Sequence, residues 1–279
     1  MSVADRLSKV ANRFLAVPVA VPMFRADIDA WRHLNGLLEG RKPAIGQPIG
    51  LIESLDALAT SRFRPENLDP VIRDFYERTS EYKMEATVRW SSRWISEPYY
   101  WISNLFLQLR PGRNEYDYVP LENELVSASL ERFGIDNPSV RIWRRLIGAD
   151  KVPFYTAVCR TFIVDDFSYL QVIVPYFWGN FAVVFELQNE PSGGLILNAS
   201  QKHDAGPLAG NWMTSVVLGK AAPAVRAPGA DGEKIAVLPY HLKTAQGLRG
   251  EQEGFGFGRQ VFRIDYRIAH RDREQVKQA

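Results

Sequence analysis

The chain has 279 residues, 46% hydrophobic and 24% charged, with a formal net charge of +2. So balanced a charge excludes a global attraction to nucleic acid or an anionic membrane, and a chain this long buries about three quarters of its unfolded surface without disulfides or structural metal. A single cysteine, Cys159, excludes an internal disulfide and a multi-cysteine metal site, and nothing in the cysteine count argues for secretion.

In chain order, residues 3–15 read as a helix with Val3, Leu7, Val10 and Phe14 on one stripe. Such a helix either docks on the body or meets a membrane or a partner. The apolar run FLAVPVAVPMF (14–24) is too short to span a bilayer, and Pro18 and Pro22 break a helix. Asp5 lies in the would-be basic region of a signal peptide and no small-x-small site closes the run, so the expected location is cytoplasmic. Short helices are expected at Ala26–Leu38 and Ile49–Ala59, with the loop GRKPAIGQP between them. Residues 1–61 read as a helical N-terminal extension, 62–270 as the main domain and 271–279 as a charged tail.

Asp69 is placed to cap a helix that has Pro70 at its first position. Lys83–Ser91 alternates Met84, Ala86, Val88 and Trp90 against Glu85, Thr87 and Arg89, the period of a strand. Pro98–Leu109 is expected to be a helix, apolar almost all round, and either buried or a lid over a ligand. Glu124–Phe133 and Val140–Ile147 read as a hairpin. Lys151–Lys202 reads as four strands separated by turns at Asp165-Asp166, Trp178-Gly179-Asn180 and Pro191–Gly194. Turns this short force antiparallel pairing. Trp212–Gly219 reads as a strand or short helix, and Lys220–Gly232 as a surface loop. Strands over 235–246, 248–256 and 260–269 close the domain, and His270 falls at an exposed end. Gly254–Gly258, GFGFG, reads as a turn or bulge.

The expected fold is α+β, mainly β: a helical front followed by a curled antiparallel sheet of about ten strands, barrel-like or a sandwich, because so wide a sheet curls, splits or closes. In Asn180–Gln188 one face is aromatic and aliphatic, while the other carries Asn180, Glu186 and Gln188. That polar face is either solvent or the lining of an interior. Asp265, between Arg263 and Arg267, reads as part of an exposed charge ladder.

The stretch RFRPENLDPVIRDFYERTSEYKMEATVRWSSRW carries Asp69, Pro70, Ile72, Arg73, Phe75, Tyr76, Glu77 and Thr79 ahead of Ala86, Val88 and Trp90, and FRIDYRI carries Arg263, Tyr266 and Arg267. This pattern, a DPxIRxFYExT helix before an AxVxW strand, resembles a family of uncharacterised bacterial proteins. The resemblance runs from about Arg62 on and implies no activity.

P-loop, GxSxG, HExxH, CxxC and strand-associated GxGxxG motifs are all missing, so no cofactor is expected. Aromatics at 12% suit the walls of a cavity or simply a β core. The leading expectation is a hydrophobic small molecule in a barrel-like cavity, with cofactor-free acid–base chemistry of the cyclase, isomerase or dehydratase type. Glu186, His203, Asp204, His241 and Tyr266 are the candidate catalytic groups. Trp90, Trp101, Trp143, Arg160, Trp178 and Asn180 are the candidate ligand contacts. A carrier of lipid or metabolite with the same cavity, and a peripheral membrane-associated protein, are the alternatives. Nucleic acid is not an expected partner, since no basic stripe accompanies the aromatics.

Overall fold

The computed structural model describes residues 15, 30–42, 47, 49–91, 118–133, 135, 139–147, 151–176, 179–200, 205–217, 220–226, 230–242, 245–256 and 259–271. The helix expected over 3–15 (bar Leu15), the Pro98–Leu109 helix, Trp101, Trp178, His203, Asp204 and the tail beyond 271 lie outside these residues. For His241 only the backbone position is described.

Among the described residues thirteen strands form one antiparallel sheet: β1 Tyr82–Trp90, β2 Val119–Ala128, β3 Val140–Ile147, β4 Val152–Val164, β5 Phe167–Tyr176, β6 Gly179–Asn189, β7 Leu195–Asn198, β8 Gly210–Val217, β9 Lys220–Ala221, β10 Val225–Arg226, β11 Ala230–Leu242, β12 Ala245–Gly256 and β13 Arg259–His270. Ten of them follow one another in the order β6-β5-β4-β3-β2-β1-β13-β12-β11-β7. The short β7 then pairs with β6 again, so that Leu197 lies between Leu187 of β6 and Ile235 of β11. The two ends of the order meet at this four-residue seam. The rest of that edge of β6, Gly179–Val184, goes to β8 instead. The sheet is therefore curled and barrel-like, bridged over part of its height.

Two helices are present among the described residues, α1 (Ala30–Leu37) and α2 (Pro70–Glu77). α2 starts as its sequence requires: the Asp69 carboxylate accepts from the Val71 N–H at 2.9 Å, and Pro70 occupies the first turn, where an N–H has no helical partner. Ile72, Phe75 and Tyr76 face inward from α2 into the curl, among Met84, Leu248 and Ile268. Ile49, Leu51, Ile52, Leu55 and Leu58 share that core, so residues on both sides of position 61 pack together.

Residues 58–69 are stitched to the hairpins around this end. Ser168 Oγ donates to the Leu58 carbonyl at 2.5 Å, the Arg64 N–H to Asn189 Oδ1 at 2.8 Å, and the Asp69 N–H to the Gly193 carbonyl at 2.8 Å. One end of the curl is thus plugged. Gly50 allows the plug to pack, since a Cβ there would stand 2.3 Å from the Glu77 carbonyl.

Several expectations are corrected. Ile49–Ala59 is not a helix but a run of bends with a 3-10 turn at Asp56–Leu58; its backbone bonds to α2 and to the residues just after α2, as in Ile52 N–H to the Tyr76 carbonyl and Leu51 N–H to Thr79 Oγ1. β2 begins at Val119 and ends at Ala128, and Glu131–Phe133 is a 3-10 turn with Glu131 exposed. Within 220–232, short β9 and β10 pair with β8, and β11 starts at Ala230. His270 ends β13 half-buried, its Nε2 3.3 Å from Glu81 Oε2. Asp265 is buried, not part of an exposed ladder, with Arg263, Arg89 and Arg249 gathered on it at 3.0, 3.6 and 4.0 Å. Ladder charges bury when neighbouring strands supply enough opposite charge to replace water.

The cap on α2 gives a direct test. Asp69→Ala is expected to lower stability by about 1 kcal/mol, read as a lower urea midpoint with an unchanged m-value.

Candidate functional site

Alternation places opposite faces of β3–β6 in two separate cores. Trp143, Cys159, Leu170, Val183, Phe185 and Leu187 point into the curl. Ile142, Val158, Phe162, Ile173, Ala182 and Val184 point the other way, into a second core shared with Leu15, Leu34 and Leu38 and with Leu208 and Trp212. The polar face of β6 is therefore neither solvent nor the interior of the curl. It is buried on the outside of the sheet.

The interior holds a polar cluster on an apolar floor. β3 projects Trp143 and Arg145 inward, and the Arg145 guanidinium lies 4.1 Å from the centre of the Trp143 ring. A guanidinium stacks well on an aromatic face because it is planar and weakly hydrated. Arg145 Nη1 also reaches across to the Tyr266 hydroxyl of β13 at 3.4 Å. That hydroxyl donates to Gln252 Oε1 of β12 at 2.6 Å. Trp143 Nε1 donates to Asn123 Oδ1 at 3.0 Å, and Asn123 Nδ2 approaches Met84 Sδ at 3.1 Å. The charge of Arg145 is felt by its neighbours: burial pushes the Tyr76 phenol and the Cys159 thiol up, and Arg145 pulls both back down.

Above this cluster, towards the end away from α2, the inward side chains are only half-buried. They are Val88 and Trp90 of β1, Phe262 of β13, Val172 and Val174 of β5, and Phe181 of β6. Trp90 and Phe262 meet edge to face with centroids 5.8 Å apart. Gly254 of β12 makes room for Phe262, since a Cβ there would stand 2.3 Å from the ring.

The structure brings together only part of the expected site. Trp143 and Tyr266 meet at Arg145, and Trp90 lies on the same inner face nearer the end away from α2. Arg160, Asn180 and Glu186 lie on the opposite face and do not join them. His241 pairs with Gln246 at the start of the β11–β12 hairpin. Glu186 is buried and holds a loop: its Oε2 accepts from the Gly206 N–H at 2.6 Å and from Gln188 Nε2 at 3.1 Å, while Arg62 stands 3.4 Å from Oε1. The interior residues missed in sequence are Arg145, Asn123 and Gln252. A detectable signal was present for Arg145, which alternates with Trp143 on a strand face.

A 128-residue stretch is 28% identical to the uncharacterized membrane protein YndJ of Bacillus subtilis (strain 168), covering 45% of this chain and 23% of that protein. The match thus spans about a quarter of the relative. No family model and no solved structure matches the chain. Among the described residues no helix is long and apolar enough to cross a membrane.

The role of Glu186 is separable by substitution. Glu186→Ala leaves the Gly206 amide buried without its acceptor and is expected to cost about 1–3 kcal/mol. Glu186→Gln keeps an acceptor oxygen and should cost less. Guanidinium midpoints of the two variants decide it, and equal losses would assign the effect to the charge facing Arg62.

Proposed function

We propose that this chain binds an amphipathic small molecule inside the curled sheet. Its apolar body sits against the half-buried Val88, Val172, Val174, Phe181 and Phe262, and its polar group meets Arg145, Tyr266 and Gln252. One observation carries the reading: apolar side chains on the inner rows of four strands stay partly exposed above a buried guanidinium. Cores are normally packed to the density of organic crystals, so inward apolar groups left half-buried mark the place where another apolar surface fits.

Binding is favoured over acid–base catalysis. Of the five expected acid–base groups, Glu186 and Tyr266 belong to opposite faces of the sheet. Contact with a membrane surface is the second reading, favoured by the membrane protein to which a 128-residue stretch of the chain is 28% identical.

Native mass spectrometry of freshly purified protein, compared with its denatured mass, is expected to show a non-covalent adduct. Arg145→Met keeps the stem of the side chain and removes the charge. It should weaken retention on the order of tenfold or more, the equivalent of a charged hydrogen bond worth about 1.5–3 kcal/mol. An adduct that survives this change unaltered would place the ligand elsewhere. Co-sedimentation of the adduct-free protein with liposomes would turn the reading towards the membrane surface.

A further inference from the structure

The second core contains a cation that no described carboxylate balances. Arg160 projects from β4 with only 1% of its surface exposed. Its Nε donates to Gln171 Oε1 of the neighbouring strand at 2.6 Å, and its guanidinium lies 5.3 Å from the centre of the Phe162 ring. Arg160 Nη2 has no hydrogen-bond partner among the described residues, and neither has Gln171 Nε2, although both atoms are buried. The orientation of the Gln171 amide is dictated by Arg160: a guanidinium offers only donors, so the amide must turn its oxygen towards it. Its NH2 group is then left over.

Arg160 and Gln171 are direct cross-strand partners, flanked in the same row by Val140 of β3 and Val184 of β6. Two buried donors and one positive charge thus lie beside Ile142, Val158 and Ile173, on the face that carries Glu186 two residues along β6 from Val184. Leaving such groups unsatisfied is expensive, and a buried charge without a counter-ion more so. Burial pushes the Arg160 guanidinium down to about 10, the direction expected for a cation held without an anion.

We propose that Arg160 and Gln171 form a carboxylate-binding site in the second core, on the face of the sheet opposite the interior of the curl. A carboxylate matches the two donors and the single positive charge. It carries one negative charge against one guanidinium, and its two coplanar oxygens accept from Nη2 and Nε2 together. A phosphate dianion would leave excess negative charge in apolar surroundings. α1 and residues 205–209 pack into the same core without belonging to the strand ladders.

The test is thermal unfolding of the full chain in buffer free of carboxylate and phosphate, with sodium acetate, sodium phosphate or sodium chloride added at matched ionic strength. Acetate is expected to raise Tm above the chloride control by on the order of 2–4 °C, growing with concentration. Arg160→Met, which keeps the bulk and removes the charge, should abolish that response. Gln171→Glu supplies a carboxylate from the chain itself, and should raise Tm without acetate and remove the response to it. An acetate effect no larger than that of chloride overturns the site, and so does a response retained in Arg160→Met. A phosphate effect equal to that of acetate overturns the choice of carboxylate. Should Arg160→Met not fold, Gln171→Glu decides alone: lower stability or continued response to acetate overturns the proposal. Neither variant touches Arg145, so the outcome is independent of binding inside the curl.

Discussion

Four residues, Leu195–Asn198, hold the ends of the sheet together. Without β7, β6 and β11 would each present a row of open N–H and C=O groups, and the curl would have an exposed edge on either side. With it, Leu197 is laddered to Leu187 on one side and Ile235 on the other. Because side chains alternate, this seam also sets what faces inward. A slip of one residue at β7 would turn Leu195 and Leu197 out of the core they share with Leu187. The turn ahead of β7 supports that register, with Gly193 at φ +87° and its carbonyl bonded to the Asp69 N–H of the plug.

Curling gives the sheet two unequal faces, and on β3–β6 both are buried. Each of these strands serves two cores at once. The same alternation that sends Trp143 and Phe185 inward sends Ile142 and Val184 outward into the second core, which α1 shares. Many polar residues on β3–β6 are therefore buried, and they differ in how they are satisfied. Arg145 spreads its charge over the Trp143 face and the Tyr266 hydroxyl, Glu186 caps the loop at Gly206, and Arg160 meets a neutral amide. On the far side of the curl Asp265 gathers three arginines and needs no cover.

Much of the strand plan was legible because it is local. The Asp69–Pro70 start of α2, the alternation of Met84–Trp90, and the Asp165-Asp166 turn, where both residues take positive φ, are each written in a few adjacent residues. Ile49–Ala59 misled for the opposite reason. Its apolar spacing looks helical, but Leu51, Ile52 and Leu55 bond to α2 and its flanking residues, and those long-range partners replace the helical ones.

The candidate site was half legible. Trp143 and Tyr266 were identifiable as large groups on strand faces, and Arg145 shares the alternation of Trp143. That these three meet, and that Arg160 and Glu186 do not join them, depends on which face of each strand turns inward. The sequence by itself determined the elements: antiparallel strands joined by tight turns, a capped helix before the first strand, and the two sets of residues on each strand. Only the tertiary structure decided which set became the interior of the curl, because a period of two distinguishes two faces without ranking them. The choice was made by the plug at residues 49–82 on one side and by Leu15, α1 and residues 208–212 on the other, through contacts that no local pattern encodes.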